Sequence, residues 1–317
     1  MNFEKDKIST REAFGNALLR MAEKNDRIVA IAADTTKSMG FAQMEKKFPN
    51  RVVNLGIGEQ NMALAGAGAA ACGGKAFIAT YAPFAAMRIL EQVRTFICYP
   101  DLDVKIISGL AGLSAGSEGV THQGLEDVSI MRVIPGLVVV VPADAASTEI
   151  ITEKITEHQG PVYLRIGRNL NDHTFGPDYR FEIGKANILK PNGRDAAVIV
   201  NGAVTKRALA AVDLLAGKGY AVQVVEMPCV KPLDEEAVLT AARDTGLVIT
   251  VEENNILGGL GGAVAEVLSD KLPTRVKRIG IKDQYTESAD HDDLLDAYGF
   301  LPADLAAEME AAIKAKK

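Results

Sequence analysis

The sequence carries its densest chemical signal in Asn54-Leu-Gly-Ile-Gly-Glu-Gln-Asn-Met62. An apolar run ends at Leu55, two glycines permit a tight turn, and a helical pattern begins near Glu59. An acidic residue in a first helical turn complements the helix dipole, worth roughly 0.3–1 kcal/mol. The same residue could be a reactive carboxylate at the carboxyl end of a parallel strand, where open α/β sheets place ligands. On the residues alone both readings stand. The Gly56-Ile-Gly58 pair imitates a dinucleotide fingerprint, but Asn61 takes the place of its third glycine. A second imitation, Gly66 to Ala71, lies inside a helical run and follows no strand.

A second cluster is Ser114-Ala-Gly-Ser-Glu-Gly-Val-Thr-His-Gln123, a glycine-rich loop that follows the apolar run Val104–Ile107 and ends near His122. Histidine titrates near neutrality and serves as an acid, a base or a hydrogen-bond donor, though a lone loop histidine is commonly only solvated. Thr80-Tyr-Ala-Pro-Phe84 puts two rings just beyond a strand, either as core or as a wall for a flat heterocycle. Arg168 directly follows an apolar run and is the better anion-binding candidate, since guanidinium grips phosphate bidentately. Arg11, Arg88, Arg94 and Arg165 read singly as surface residues. In the second half, the glycines of Gly258-Gly-Leu-Gly-Gly262 open a helix; they either cradle a phosphate or allow close helix–sheet packing, and packing is favoured.

Short β-branched runs alternate with helical patterns throughout. Strands are expected at Ile28–Ala32, Val52–Leu55, Ala76–Ala79, Val104–Ile107, Val138–Val141 and Val162–Arg165. A second set follows at Ala197–Asn201, Val222–Glu226, Val248–Glu252 and Val276–Ile279. Most are nearly unbroken apolar, as for parallel strands covered on both faces. Helices are expected between them, including Thr10–Glu23, Glu59–Cys72, Pro83–Cys98, Ala145–His158 and Thr205–Ala216. The fold class is therefore α/β, with two doubly wound, mainly parallel-sheet domains. The domains are expected at 1–170 and 194–317, with a polar linker at 171–193 that holds at most one short strand.

Bulk properties narrow the function. A chain of 317 residues exceeds what one core usually organises. A net charge of −6 without a long basic run argues against a nucleic-acid surface. The three cysteines fit no disulfide or zinc spacing, and no other metal-ligand motif stands out, so no metal held by this chain is expected. The charged start has no apolar signal segment, and no apolar run is long enough to cross a bilayer; a cytoplasmic setting is expected.

Taken together the motifs resemble the pyrimidine-binding and C-terminal domains of transketolase. The resemblance runs over nearly the whole chain. It rests on Ala33-Asp-Thr-Thr-Lys-Ser38, Gly56-Ile-Gly-Glu-Gln60, Thr80-Tyr-Ala-Pro-Phe84, Gly116-Ser-Glu-Gly-Val-Thr-His-Gln123, Pro142-Ala-Asp144 and Leu164-Arg-Ile-Gly-Arg-Asn169, in that order. It implies a thiamine-diphosphate enzyme that transfers a two-carbon ketol unit between sugar phosphates. Glu59 would hydrogen-bond the aminopyrimidine nitrogen, and Tyr81 and Phe84 would pack on that ring. His122 would stand beside the reacting carbons and stabilise developing oxyanions. Asp34 falls near the cofactor pocket, and Arg11, Ser38 and Arg168 match sugar-phosphate contacts.

Three positions depart from the family. Glu118 stands where an Asp beside the donor hydroxyls is common, Leu110 where a phosphate-facing His is usual, and Met87 replaces a third aromatic of the pyrimidine pocket. The larger departure is that no Gly-Asp-Gly triplet occurs. The resemblance therefore implies a split enzyme whose N-terminal subunit carries the diphosphate-binding domain and magnesium, with self-association also expected. Pentose phosphate metabolism would be the setting. A deoxyxylulose-phosphate-synthase-like half, a beta subunit of a two-oxoacid dehydrogenase and a non-catalytic α/β regulatory protein are the other readings.

Overall fold

The computed structural model describes residues 3–316. Its strands are β1 (Ile28–Ala32), β2 (Val52–Asn54), β3 (Lys75–Tyr81), β4 (Val104–Gly109), β5 (Val138–Val140) and β6 (Val162–Arg165). They continue with β7 (Asn187–Lys190), β8 (Ala196–Val200), β9 (Val222–Glu226), β10 (Cys229–Lys231), β11 (Leu247–Asn255) and β12 (Arg275–Ile281). Two sheets result, ordered β10-β5-β6-β4-β3-β1-β2 and β12-β11-β8-β9-β7. Every pairing is parallel except β10 on β5 and β7 on β9. The α/β class expected from the apolar runs is the observed one.

Period-2 side-chain alternation divides each unbroken strand between two cores. In β3, Ile78 joins Met62, Ala85 and Val93 on one face, while Phe77 joins Phe14, Leu18 and Phe41 on the other. In β8, Val198 and Val200 pack on one face and Ile199 on the opposite one. Helices therefore cover both faces, and function is left to the loops at the strand ends.

Two short strands complete the sheet edges: β7 falls within 171–193, where one short strand is expected, and β10 has no legible sequence pattern. β10 has three residues between Pro228 and Pro232, too few for alternation to show; it closes the edge of the first sheet although its chain neighbours belong to the second. An antiparallel edge strand of this kind caps unpaired backbone groups at β5. β7 does the same for β9. Around it, Phe175, Tyr179 and Phe181 of the polar 171–193 stretch pack against the first sheet's core.

The expected helix Pro83–Cys98 is broken. Wide turns occupy Phe84–Arg88 and Val93–Cys98, with Ile89 N donating to Phe84 O at 3.3 Å and Tyr99 N to Arg94 O at 3.0 Å. Such i→i−5 turns are rare and concentrate at functional sites. The glycines after β11 serve packing, not an anion. Glu252 accepts from Leu260 N at 2.7 Å and Gly261 N at 2.8 Å, so the protein's own carboxylate satisfies the amides that a phosphate would use. No helix among the described residues is long and apolar enough to cross a membrane.

Candidate active site

Strand register decides which loops meet. Ala32 of β1 pairs with Asn54 and Ala79, and Tyr81 of β3 pairs with Gly109 of β4. Ser108 of β4 pairs with Arg165. The segments after β1, β2, β3, β4 and β6 therefore leave the same carboxyl edge; Asp34, Ser38, Glu59, Phe84, Met87, Glu118, His122 and Arg168 lie on them, and Tyr81 ends β3.

After β2 the chain turns at Gly56, whose φ of 68° is a conformation glycine adopts without strain. Asn54 Oδ1 accepts from Gly56 N at 3.1 Å and from Asp34 N at 2.9 Å, tying the β1 and β2 turns together. The helix Glu59–Ala71 starts at once, and Glu59 is 4% exposed in its first turn. Its Oε1 accepts from Arg88 Nη1 at 2.7 Å, and the Arg88 guanidinium lies 4.2 Å over the Phe84 ring. Arg88 is thus not the free surface residue that its sequence context suggests. It answers a buried carboxylate.

Beyond β3, Tyr81 and Phe84 lie with ring centroids 6.0 Å apart. His122 stands 5.6 Å from Tyr81 and 5.4 Å from Phe84, completing a three-ring wall. Its Nδ1 is 2.9 Å from Thr121 Oγ1. Tyr81 OH donates to Ser38 Oγ at 3.2 Å, and Arg11 donates to the Ser38 carbonyl at 3.3 Å. Arg11, Ser38, Tyr81, Phe84 and His122 are therefore linked contact by contact.

The other motif residues sit differently. Arg168 Nη1 pairs with Glu118 Oε1 at 2.5 Å, both partly exposed, so the expected phosphate contact and the residue expected beside the donor hydroxyls engage each other. Asp34 is exposed at a φ of 60°, and Met87 is 53% exposed. Leu110 is buried with a φ of 53°, beginning the loop that carries His122.

That loop is held from the second domain. Leu113 N donates to Glu253 at 2.7 Å, Gln123 Nε2 donates to Glu287 O at 2.9 Å, and Thr286 Oγ1 bonds Gln123 Oε1. Asn255 N donates to Leu125 O at 2.7 Å. Beneath the loop is a buried network that single-residue reading misses. Arg165, 6% exposed, bonds Asp127 at 3.0 Å and the carbonyls of Gly124 and Glu253. Tyr163 OH is 2.8 Å from Asp127, and His291 Nε2 is 3.1 Å from Glu253. The His291 and Arg165 charges hold the Glu253 carboxyl below its ordinary value against the opposing effect of its burial. Arg165 stands at a strand terminus between two acids far off in sequence, so no local signal could have found it.

Among the described residues, Asp6, Asp144 and His173 form the one group of three with metal-like spacing. Their oxygens are already used: Asp6 accepts from Ala145 N, and Asp144 from Ser147, Thr174 and Phe175 amides. The cluster is a helix cap. A buried carboxylate beside a wall of three rings suits the ring of an aminopyrimidine.

Comparison with known proteins adds family context. Residues 6–172 match the pyrimidine binding domain of transketolase, and residues 184–305 match its C-terminal domain. The 6-deoxy-6-sulfo-D-fructose transketolase subunit SqwH of Clostridium sp. is 37% identical, over 91% of this chain and 89% of that one. A subunit of the apulose-4-phosphate transketolase of Phocaeicola vulgatus is 36% identical, over 92% of this chain and 93% of its own. A 1-deoxy-D-xylulose-5-phosphate synthase of Syntrophotalea carbinolica is 38% identical over 93% of this chain, which covers 47% of that longer protein. Among solved structures, one described as a split gene transketolase, inactive beta4 tetramer, superposes with a TM-score of 0.89 at 42% identity, covering 98% of this chain and 100% of that one.

Proposed function

The chain belongs to the transketolase family, and from that we propose that it is the C-terminal subunit of a two-component, thiamine-diphosphate-dependent transketolase. The observation that carries this is the buried Glu59 carboxylate, joined through Arg88 to the Phe84 ring of the Tyr81–Phe84–His122 wall and presented on one open edge. Around that edge Ile57 is 80% and Met87 53% exposed, an apolar rim suited to burial against another polypeptide. The subunit that supplies the other wall would carry the diphosphate and magnesium site.

When bound, thiamine diphosphate supplies the carbon nucleophile and electron sink for breaking a carbon–carbon bond next to a carbonyl. Glu59 would share a proton with the aminopyrimidine nitrogen in a pocket closed to water once the partner subunit covers the edge. Tyr81 and Phe84 orient the ring, with Met87 and Asp34 at the pocket's margin. His122 donates to substrate oxygens as charge develops on them. Arg11, Ser38, Glu118 and Arg168 take the hydroxyls and phosphate of the sugar, which requires the Arg168–Glu118 pair to open. Ketol transfer between sugar phosphates in a cytoplasmic pathway such as pentose phosphate metabolism follows, with a pair of each subunit as the assembly. The relatives' names, one with 6-deoxy-6-sulfo-D-fructose and one with apulose-4-phosphate, leave the particular pair to the loop residues.

Co-expression with an N-terminal subunit, addition of thiamine diphosphate and magnesium, and a ketol-transfer assay test this. Glu59→Ala is expected to lower turnover by about 10²–10⁴-fold, the weight of a positioned proton-transfer group. Equal turnover by the variant removes the assignment. The likeness to deoxyxylulose-phosphate synthases supports a second reading. Release of carbon dioxide from pyruvate with glyceraldehyde phosphate, in place of ketol transfer, would select it.

A further inference from the structure

Arg88 makes two contacts at once, and together they describe a ligand. Its guanidinium is flat and cationic, it lies over Phe84 at 4.2 Å, and it donates to Glu59 Oε1 at 2.7 Å. An aminopyrimidine stacked on the same ring with its nitrogen toward the same oxygen needs that space and that acceptor. The guanidinium and the pyrimidine cannot occupy the same ring face at once. The asymmetry of burial shows which partner moves: Glu59 is 4% exposed and rigid in a helix, whereas the Arg88 side chain is 46% exposed. Arg88 also closes the wide turn Phe84–Arg88, whose hydrogen-bond register is already loosened.

We propose that Arg88 is a self-ligand of the cofactor slot, filling the place of the pyrimidine in the free subunit and turning out to solvent when that ring enters. The physical reason is the carboxylate. An ionised group cut off from water needs a partner, and before assembly nothing else described beside Glu59 supplies a charge. The guanidinium supplies charge and a flat face together, which a lysine would not. The proposal rests on the reading of Glu59 and Phe84 as the pyrimidine contacts.

The test is thiamine diphosphate binding, by titration calorimetry, to the complex reconstituted with the N-terminal subunit at saturating magnesium. Arg88→Ala removes the competitor and is expected to tighten binding about three- to tenfold, the combined weight of a part-exposed ion pair and a cation–π contact. In stopped-flow experiments the observed binding rate should saturate with cofactor concentration in the wild type and become linear in the variant. Equal or weaker binding by Arg88→Ala, or a saturating rate retained in it, overturns the proposal. Glu59→Gln separates this from the underlying reading. If that variant binds and turns over like the wild type, the slot itself has been misassigned. If it is impaired while Arg88→Ala binds no tighter, only the self-ligand fails. An exposed arginine at a turn holds no core together, and matched melting temperatures confirm that the variant is folded.

Discussion

Gly124 backs onto the turn after β3 so closely that a Cβ there would lie 2.4 Å from the Ala82 Cβ. The absence of a side chain lets the loop come down on the Tyr81–Phe84 turn, and two residues earlier His122 meets both rings. Gly124→Ala should therefore push His122 off the wall. Turnover of the assembled enzyme is expected to fall about 10–100-fold, the weight of an ångström-scale misplacement. Steady-state kinetics beside a thermal melt check this; unchanged kcat would show that the loop accommodates the methyl group.

The Thr286–Gln123 contact is the second domain's hold on the same loop, with both side chains buried. Thr286→Val keeps the shape and removes the hydroxyl, leaving a buried amide oxygen without its donor. A loss of about 1–3 kcal/mol in stability is expected, with kcat lowered more than KM rises. Thr286→Ser should restore both. A variant whose kcat is untouched would show that the hold is only structural.

His122 itself sits at the loop's tip, partly exposed and bonded to Thr121. Its replacement by alanine should reduce kcat about 10²–10³-fold, in the range of one lost oxyanion donor, while the free subunit loses only about 0.5–1.5 kcal/mol in denaturant unfolding, the weight of its ring contacts. A large stability loss with normal turnover would reverse its role.

Arg165 is held among Asp127, Glu253 and two carbonyls with almost no solvent contact. Arg165→Met leaves the buried Asp127 carboxylate without its cation and Glu253 with His291 as its remaining charged partner. About 3–5 kcal/mol of stability should be lost, as when one partner of a buried ion pair is removed. Urea unfolding measures it, and a loss below about 1 kcal/mol would mean that water reaches the network.

Glu226 is fully buried, and burial pushes its carboxyl up to about 7 although Asn187 and Tyr179 donate to it. Because the folded value lies above the unfolded one, the folded protein holds the proton more tightly. The associated stability is present at pH 4.5 and is lost as pH rises through 7. Between about pH 5 and 8 this group should lower the unfolding free energy by about 2–3 kcal/mol. Glu226→Gln should flatten that part of the profile; a parallel profile would show that another group sets it.

The helix Pro83–Cys98 shows where local pattern reading stops. Its apolar spacing is helical, and the segment is helical in outline, but two wide turns interrupt it, and Arg88, the last residue of the first, meets Glu59 across the site. The six-residue helices Ala42–Lys47 and Asp127–Arg132 leave no mark in the sequence pattern, because fewer than two turns show no periodicity. Arg88 and Arg165 both read as surface residues in the sequence, since an arginine's partner is not written beside it.

The amino-acid sequence alone determined the α/β class, the strands of both sheets apart from two short edges, and the turn that presents Glu59. These follow from apolar runs and glycine positions within a few residues of one another. Tertiary structure alone decided what Glu59 touches, 29 positions away, and what clamps Gln123, 163 positions away. Hydrogen bonds and ion pairs act over a few ångströms of space, and nothing in the order of residues records which distant segments the two cores will bring within that reach.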